Sequence, residues 1–289
     1  MRARRLAIAL TAVAALTLGA CAGGGDEEPA ATADAGGEAT DDGGADGTIR
    51  IGIKFDQPGL GYQEGSDYTG FDVAVATYVA DKLGYGEDQI EWVQAPSAQR
   101  ETMLQNGQVD MIFATYSITD KRKEVVAFAG PYFVAGQDLL VAADDDSISG
   151  PEDLEGKNLC SVTGSTSAQR IKDEYAAGTE LLEQPGYAEC VTALVAGTVD
   201  AVTTDDIILA GLASVAANAG KVKVVGNPFS EENYGVGLPQ DNDICEDVNA
   251  AITEMIEDGT WQEVLDENVG ASGYVPNDAL NPPTVEACA

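Results

Sequence analysis

The stretch Gly107-Gln108-Val109-Asp110-Met111-Ile112-Phe113-Ala114-Thr115 decides the fold, because the chain repeats its plan at Gly197-Thr198-Val199-Asp200-Ala201-Val202-Thr203-Thr204. In both, a helix stops at glycine, one apolar residue and an aspartate open a strand, and polar residues stand at the strand's C-terminal end. Outward from the first copy, Thr48–Phe55 reads as a strand with Ile49, Ile51 and Ile53 alternating. Phe71–Leu83 reads as a helix closed by Gly84, Ile90–Val93 as a strand, Arg100–Asn106 as a helix and Asp110–Ala114 as a buried strand. Around the second copy, Asn158–Val162, Ala201–Thr203 and Val222–Val225 read as strands. Ser167–Tyr175, Tyr187–Ala196 and Asp206–Ala217 read as helices. Val236–Leu238 reads as a strand returning to the first half, followed by helices at Ile244–Glu257 and Trp261–Glu267. Strand-helix alternation in both halves predicts an α/β protein of two similar lobes, each a mostly parallel sheet flanked by helices. Ligands of open α/β sheets bind beyond the C-terminal strand ends, so two such lobes facing each other enclose a cleft.

Three polar clusters fall at those ends. In Thr115-Tyr116-Ser117-Ile118-Thr119-Asp120-Lys121-Arg122, Ser117 and Thr119 are natural N-caps and Arg122 lies one turn in. A guanidinium fork matches a carboxylate bidentately. Thr163-Gly164-Ser165-Thr166-Ser167 leads from a strand into a helix, whose free N–H groups and dipole suit an anion. It lacks the lysine and spacing of a P-loop. In Thr203-Thr204-Asp205-Asp206 one aspartate can cap a helix while the other accepts from an ammonium. A carboxylate site and an ammonium site together fit an α-amino acid, which carries both groups on one carbon.

The N-terminus reads as an export signal over residues 1–20. Arg2, Arg4 and Arg5 precede an apolar run from Leu6 to Leu18 that is too short to span a bilayer. Leu18-Gly19-Ala20-Cys21 resembles the lipobox of bacterial lipoproteins, which implies lipid on Cys21 and a place on the outer face of the cell membrane. A diacylated cysteine offers the two chains that stable anchoring needs. From Cys21, residues 22–47 continue as a tether of Gly, Ala, Thr, Asp and Glu with a single Pro and no aromatic residue, a composition that cannot offset its chain entropy by burial.

The net charge is −34. Loss of the three leader arginines would leave 12 of the 15 basic residues against 49 acidic ones, which opposes binding to nucleic acid and anionic lipid headgroups. Histidine is absent, which excludes Ser-His-Asp and Cys-His catalysis and imidazole-ligated metals. Without Cys21, four cysteines remain, Cys160, Cys190, Cys245 and Cys288, an even number in an exported chain. Of the three pairings, Cys160–Cys190 and Cys245–Cys288 join residues near in sequence. No CxxC spacing occurs, and neither a metal nor a cofactor is expected.

Six pieces, in order, resemble the amino-acid-binding family (family 3) of ABC importer substrate-binding proteins. They are Tyr68-Thr69-Gly70-Phe71-Asp72-Val73, Gly107 to Asp110, Ser117 to Arg122, Phe128-Ala129-Gly130-Pro131-Tyr132, Thr163 to Ser167, and Asp200 through Asp205. The resemblance implies a type II two-lobe clamp, with lobe 1 at 48–139 plus 235–289, lobe 2 at 140–234, and two crossing strands as hinge. It implies that Arg122, helped by N–H groups near Thr166 and Ser167, binds an α-carboxylate. Asp205 would bind the α-ammonium, helped by Ser117 and the Thr115 carbonyl. Ser97 and Arg100 stand where glutamate and aspartate binders of the family contact a side-chain carboxylate. Lys54 matches a basic position there, and Tyr187 a lobe 2 contact. The aromatic that the family often stacks on its ligand is either Phe55 or Tyr62. Gly52 to Gly59 together with Ser97 to Leu104 most resembles glutamate-binding lipoproteins of high-GC Gram-positive bacteria. The expected function is therefore capture of L-glutamate or aspartate by a monomeric receptor that serves an ABC permease. Glutamine binding is the alternative within that class. An enzyme on the same fold, similar to the dehydratases of cyclic carboxylic acids, is disfavoured by the missing histidine and by Asp205.

Overall fold

A computed structural model describes residues 47–175 and 178–289. Cys21, the leader and the tether up to residue 46 lie outside the described residues.

The first strand, β1 (Ile49–Ile53), buries all three isoleucines of its alternating face. A hairpin follows, β2 (Tyr62–Glu64) and β3 (Asp67–Thr69), turning at Gly65 with φ 65°. Helix α1 (Phe71–Lys82) buries Phe71, Val75 and Val79 at helical spacing. Its N-cap, Gly70, has φ 118°, and a Cβ there would stand 1.9 Å from the Leu60 carbonyl oxygen, so only glycine fits. Then come β4 (Ile90–Gln94), α2 (Arg100–Gln105), β5 (Met111–Ile112), α3 (Asp120–Lys123), β6 (Ala127–Ala135) and β7 (Gln137–Ala142). The second half supplies β8 (Asn158–Val162), α4 (Thr166–Glu174), β9 (Glu180–Gln184), α5 (Tyr187–Val195), β10 (Ala201–Asp205), α6 (Asp206–Ser214) and β11 (Val222–Val224). The chain closes with β12 (Glu232–Leu238), α7 (Cys245–Glu257) and α8 (Thr260–Val269).

Among the described residues the longer strands form two five-stranded sheets, in the orders β4-β1-β5-β12-β6 and β11-β7-β10-β8-β9. β1 runs parallel to β4 and β5, and β8 parallel to β9 and β10, as alternation with helices requires. β12 and β7 add the antiparallel pairs. The chain changes sheet between Ala135 and Gln137, and returns between Val224 and Glu232. The expected boundaries at 139/140 and 234/235 fall inside β7 and β12. At Gly136 the crossing segments touch: a Cβ would lie 2.6 Å from Pro228 Cβ and 2.9 Å from the Ser230 carbonyl oxygen.

Several expected elements changed length. The strand read at Asp110–Ala114 keeps ladder pairing only at Met111–Ile112, and the backbone then bends to Thr115, whose φ is 46°. The helix read at Asp206–Ala217 stops at Ser214, where Val215 turns to ψ 141°. β6, β7, β9 and the β2–β3 hairpin did not appear in the alternation pattern. β6 is uniformly buried and carries Pro131, which an edge strand tolerates because one side needs no ladder donor. The tail covers that edge, with Phe128 donating to the Ala289 carbonyl at 2.7 Å and Glu286 to the Gly130 carbonyl at 2.8 Å. Both disulfides form as expected: Cys160–Cys190 joins β8 to α5, and Cys245–Cys288 pins the tail to α7. An aromatic core of Phe71, Phe133 and Trp261 binds α1, β6 and α8, with Trp261 Nε1 donating to the Tyr132 carbonyl at 2.7 Å.

Candidate functional site

Loops and helix starts at the C-terminal ends of the two sheets meet in one cavity. Ser97, Arg100, Thr115 and Arg122 line it from the first half, and Thr166, Ser167, Tyr187 and Asp205 from the second. Eight of the ten residues singled out in the sequence are thus together. Lys54 and Ser117 do not line it; each is buried beside it. Ser165, Thr204 and Ile208, which were not singled out, complete the wall. The space among these residues open to a water is about 10 Å³, too little for an amino acid in this arrangement of the two halves.

On the first side, Thr119 caps α3 by accepting from the Arg122 amide at 3.2 Å. Ser117, the other cap expected there, instead receives Arg122 Nη1 on its carbonyl at 2.7 Å, and its hydroxyl lies 3.3 Å from Thr166 Oγ1. Arg122 also donates Nε to Glu101 at 3.2 Å and Nη2 to the Gly164 carbonyl at 3.3 Å. Arg100 opens α2 and is 3% exposed. Its Nε reaches the Ala95 carbonyl at 3.4 Å, and among the described residues it forms no ion pair. Burial, and then the positive charge of Arg122, lower its pKa. Lys54 sits just past β1, 3.3 Å from Asp56; burial lowers its pKa, and Asp56 opposes that shift. Thr115 is held by Asp72, which accepts its amide at 3.0 Å and the Tyr132 hydroxyl at 2.8 Å.

On the second side, Ser165 caps α4 by accepting from the Ala168 amide at 2.9 Å, and Ser165, Thr166 and Ser167 at this helix start line the cavity. Asp205 is the last residue of β10 and makes no capping bond to α6. Asp206, the first residue of α6, accepts from the Ile207 amide at 2.8 Å and from the Gly136 amide at 3.3 Å. Asp205 accepts from the Tyr234 hydroxyl at 2.7 Å and from Ser167 Oγ at 3.5 Å. Its pKa is pushed up to about 8, first by burial and then by the neighbouring carboxylates of Glu232 and Asp206. A buried carboxylate among other carboxylates is stabilised by an incoming cation. Tyr234 and Glu101 gave no signal of their own in the sequence, since each is brought in by an element remote from its partner. Of the two candidate aromatics, Phe55 packs on Tyr68 with ring centres 5.1 Å apart, and neither it nor Tyr62 lines the cavity.

Donors for a carboxylate on one wall and a carboxylate for a cation on the other agree with what comparison with known proteins finds. The profile of bacterial extracellular solute-binding proteins, family 3, matches residues 49–271. The chain belongs to that family. Two relatives illustrate its spread. The glutamate-binding protein GluB of Corynebacterium glutamicum is 46% identical over 92% of this chain and 90% of its own length. The ABC transporter glutamine-binding protein GlnH of Bacillus subtilis is 36% identical over 75% of this chain and 79% of its own. Among solved structures, an ancestral arginine-binding protein bound to glutamine superposes with a TM-score of 0.71 at 35% identity, covering 78% of this chain and 99% of the other. A solute receptor for L-cysteine of Neisseria gonorrhoeae reaches a TM-score of 0.73 at 26% identity, covering 82% and 95%. The two-sheet architecture is therefore the type II clamp of this solute-binding family.

Proposed function

We propose that this solute-binding protein captures L-glutamate and delivers it to the membrane subunits of an ABC importer. The observation that carries the reading is Arg100, a buried guanidinium on the cavity wall that forms no ion pair among the described residues. A buried cation is stable only when paired, and a second carboxylate on the ligand would supply the partner. Arg122 and the start of α4 suit the α-carboxylate. Asp205 suits the α-ammonium, with Thr115 beside it, and Ser97 and Tyr187 complete the contacts. Lys54 reinforces the end of the cleft that takes the side-chain carboxylate. Arginine nitrogens only donate, so the amide NH₂ of glutamine would find no acceptor in Arg100. The GluB relatives support glutamate, and relatives named as binding proteins support capture rather than turnover.

Anchoring belongs to the same proposal. Lipid on Cys21 and the acidic tether would hold the clamp near its permease and raise its effective concentration there. Titration calorimetry of residues 47–289 tests the ligand. Glutamate should bind tighter than glutamine, and the reverse order would refute the assignment of Arg100. A Cys21→Ala chain should bind glutamate normally, appear in the medium and import poorly. Normal import would remove the transport role of the anchor.

A further inference from the structure

We infer that the Tyr116 ring is a positioning element that sets the spacing of Arg100 and Arg122, and thereby the length of dicarboxylate the cleft accepts. The inference deepens the glutamate reading and rests on it. Both guanidinium carbons lie over this one ring, at 5.0 Å for Arg100 and 4.7 Å for Arg122 from its centre. The two cations are therefore no further apart than the sum of those distances, 9.7 Å. Like charges so close and so buried repel, and the negative face of an aromatic ring gives each an attraction that opposes this. Only Arg122 has a carboxylate of its own, Glu101 at 3.2 Å. Arg100 has no such ion pair among the described residues, and its complementary contacts are the ring and the Ala95 carbonyl, 3.4 Å from Nε.

The ring is firmly seated. Tyr116 is fully buried, and its ring meets Phe128 edge-on at 4.9 Å between centres. It rests on Gly237 of β12, where a Cβ would stand 2.6 Å from Cε1 and 2.8 Å from Cδ1. The hydroxyl is buried, with Glu101 the carboxylate that acts on it and no hydrogen bond of ordinary geometry, so the Phe chain separates the hydroxyl from the face of the ring. A ligand with two carboxylates must span the fixed gap between the guanidiniums. Glutamate and aspartate differ by one methylene, so their ratio of affinities reads the gap. Glutamate and glutamine have equal length, so their ratio reads charge and leaves the gap aside.

The test is calorimetry of the full chain, purified in detergent, with L-glutamate and L-aspartate for wild type, Tyr116→Phe, Tyr116→Leu and Tyr116→Met. The Phe chain should keep both dissociation constants within about 3-fold of wild type. The Leu and Met chains should lose glutamate affinity by roughly 30-fold, the size of a buried cation–π contact. They should also lose preference for glutamate over aspartate. Proportional loss of both ligands, or a Phe chain as impaired as the Leu chain, would overturn the inference. Met retains bulk without a π face, and so separates the ring from its volume. The ligand-free chains supply a second readout, because a guanidinium over a ring has ring-current-shifted Nε–H resonances. Those of Arg100 and Arg122 should move toward unshifted values in Leu and Met and stay in Phe. If wild type binds neither acid, the glutamate reading falls, while unmoved resonances in the Leu and Met chains would refute the role of the ring itself.

Discussion

Tyr234 donates a hydrogen bond to Asp205 across the junction of the two sheets, at 2.7 Å. Tyr234 lies in β12 of the first sheet and Asp205 ends β10 of the second. The residue assigned to the ligand's ammonium is thus wired to the crossing strands. Its donors are neutral hydroxyls, and Glu232 and Asp206 add negative charge nearby.

Proton release should follow. With its pKa pushed up to about 8, Asp205 should be mostly protonated at pH 6 in the ligand-free protein. An ammonium needs the carboxylate, so binding should expel a proton and tighten as pH rises toward 8, by up to about 10-fold per unit. Calorimetry in buffers of different ionisation heat measures the proton count. Buffer-independent heats at pH 6 would show that Asp205 is already ionised there, and measurable binding by Asp205→Ala would refute the pairing.

Stability should move with pH in the opposite sense. Burial, as first cause, raises Asp72 and Asp206 to about 6 and Asp205 to about 8. A carboxyl raised on folding stabilises the fold below its ordinary value near 4, and that contribution is lost as pH rises through the folded value. Ligand-free stability should therefore fall between about pH 4 and pH 8. Denaturant midpoints across that range check it, and Asp206→Asn should flatten the slope near pH 6.

The two arginines should separate by ligand. Arg122→Ala should abolish binding of glutamate and glutamine alike, since both carry the α-carboxylate. Arg100→Ala should cost glutamate roughly 10- to 150-fold, the value of one charge-assisted bond, and cost glutamine much less. Equal losses for both ligands would move Arg100 away from the side-chain carboxylate.

Closure should depend on Gly211. This α6 glycine faces the loop after β1: a Cβ there would stand 2.2 Å from the Pro58 carbonyl oxygen. Gly164 and Gly186 are similar, with Cβ positions 2.7 Å from Ala98 Cα and 2.5 Å from Asp56 Oδ2. Inside a helix, Gly→Ala ordinarily stabilises by about 1 kcal/mol. Gly211→Ala should keep or raise the ligand-free Tm while weakening glutamate on the order of 10-fold, about 1.4 kcal/mol of obstructed closure. Small-angle scattering should show a smaller ligand-induced compaction than in wild type. Wild-type affinity and compaction would refute it.

Reduction should destabilise both halves. The bridges close loops of 30 and 43 residues, each contributing roughly 3–4 kcal/mol in the chain-entropy model. Cys288→Ala should lower Tm by roughly 10 °C through freeing the tail from α7. An unchanged Tm would show that the tail's backbone bonds to β6 suffice.

The alternation of strands and helices and the echo at Gly107 and Gly197 are local, and the sequence alone determined them; it offered Ser117 and Thr119 as caps and favoured one of three cysteine pairings, and the structure chose Thr119 and formed that pairing. Hydrophobic period, capping chemistry and glycine stops act within a few residues, so one dimension suffices to read them. Strand lengths at Met111–Ile112 and the continuous β6 escaped that reading, because ladder partners and an edge position set them. Arg122 was legible as a guanidinium one turn into a helix. That Tyr116 lies under it and under Arg100 at once, that Tyr234 reaches Asp205, and that Ser117 gives its carbonyl to Arg122 were decided by the tertiary structure alone. Such contacts join residues whose spacing along the chain carries no period. Only the packing of two sheets across their crossing strands fixes which of them meet.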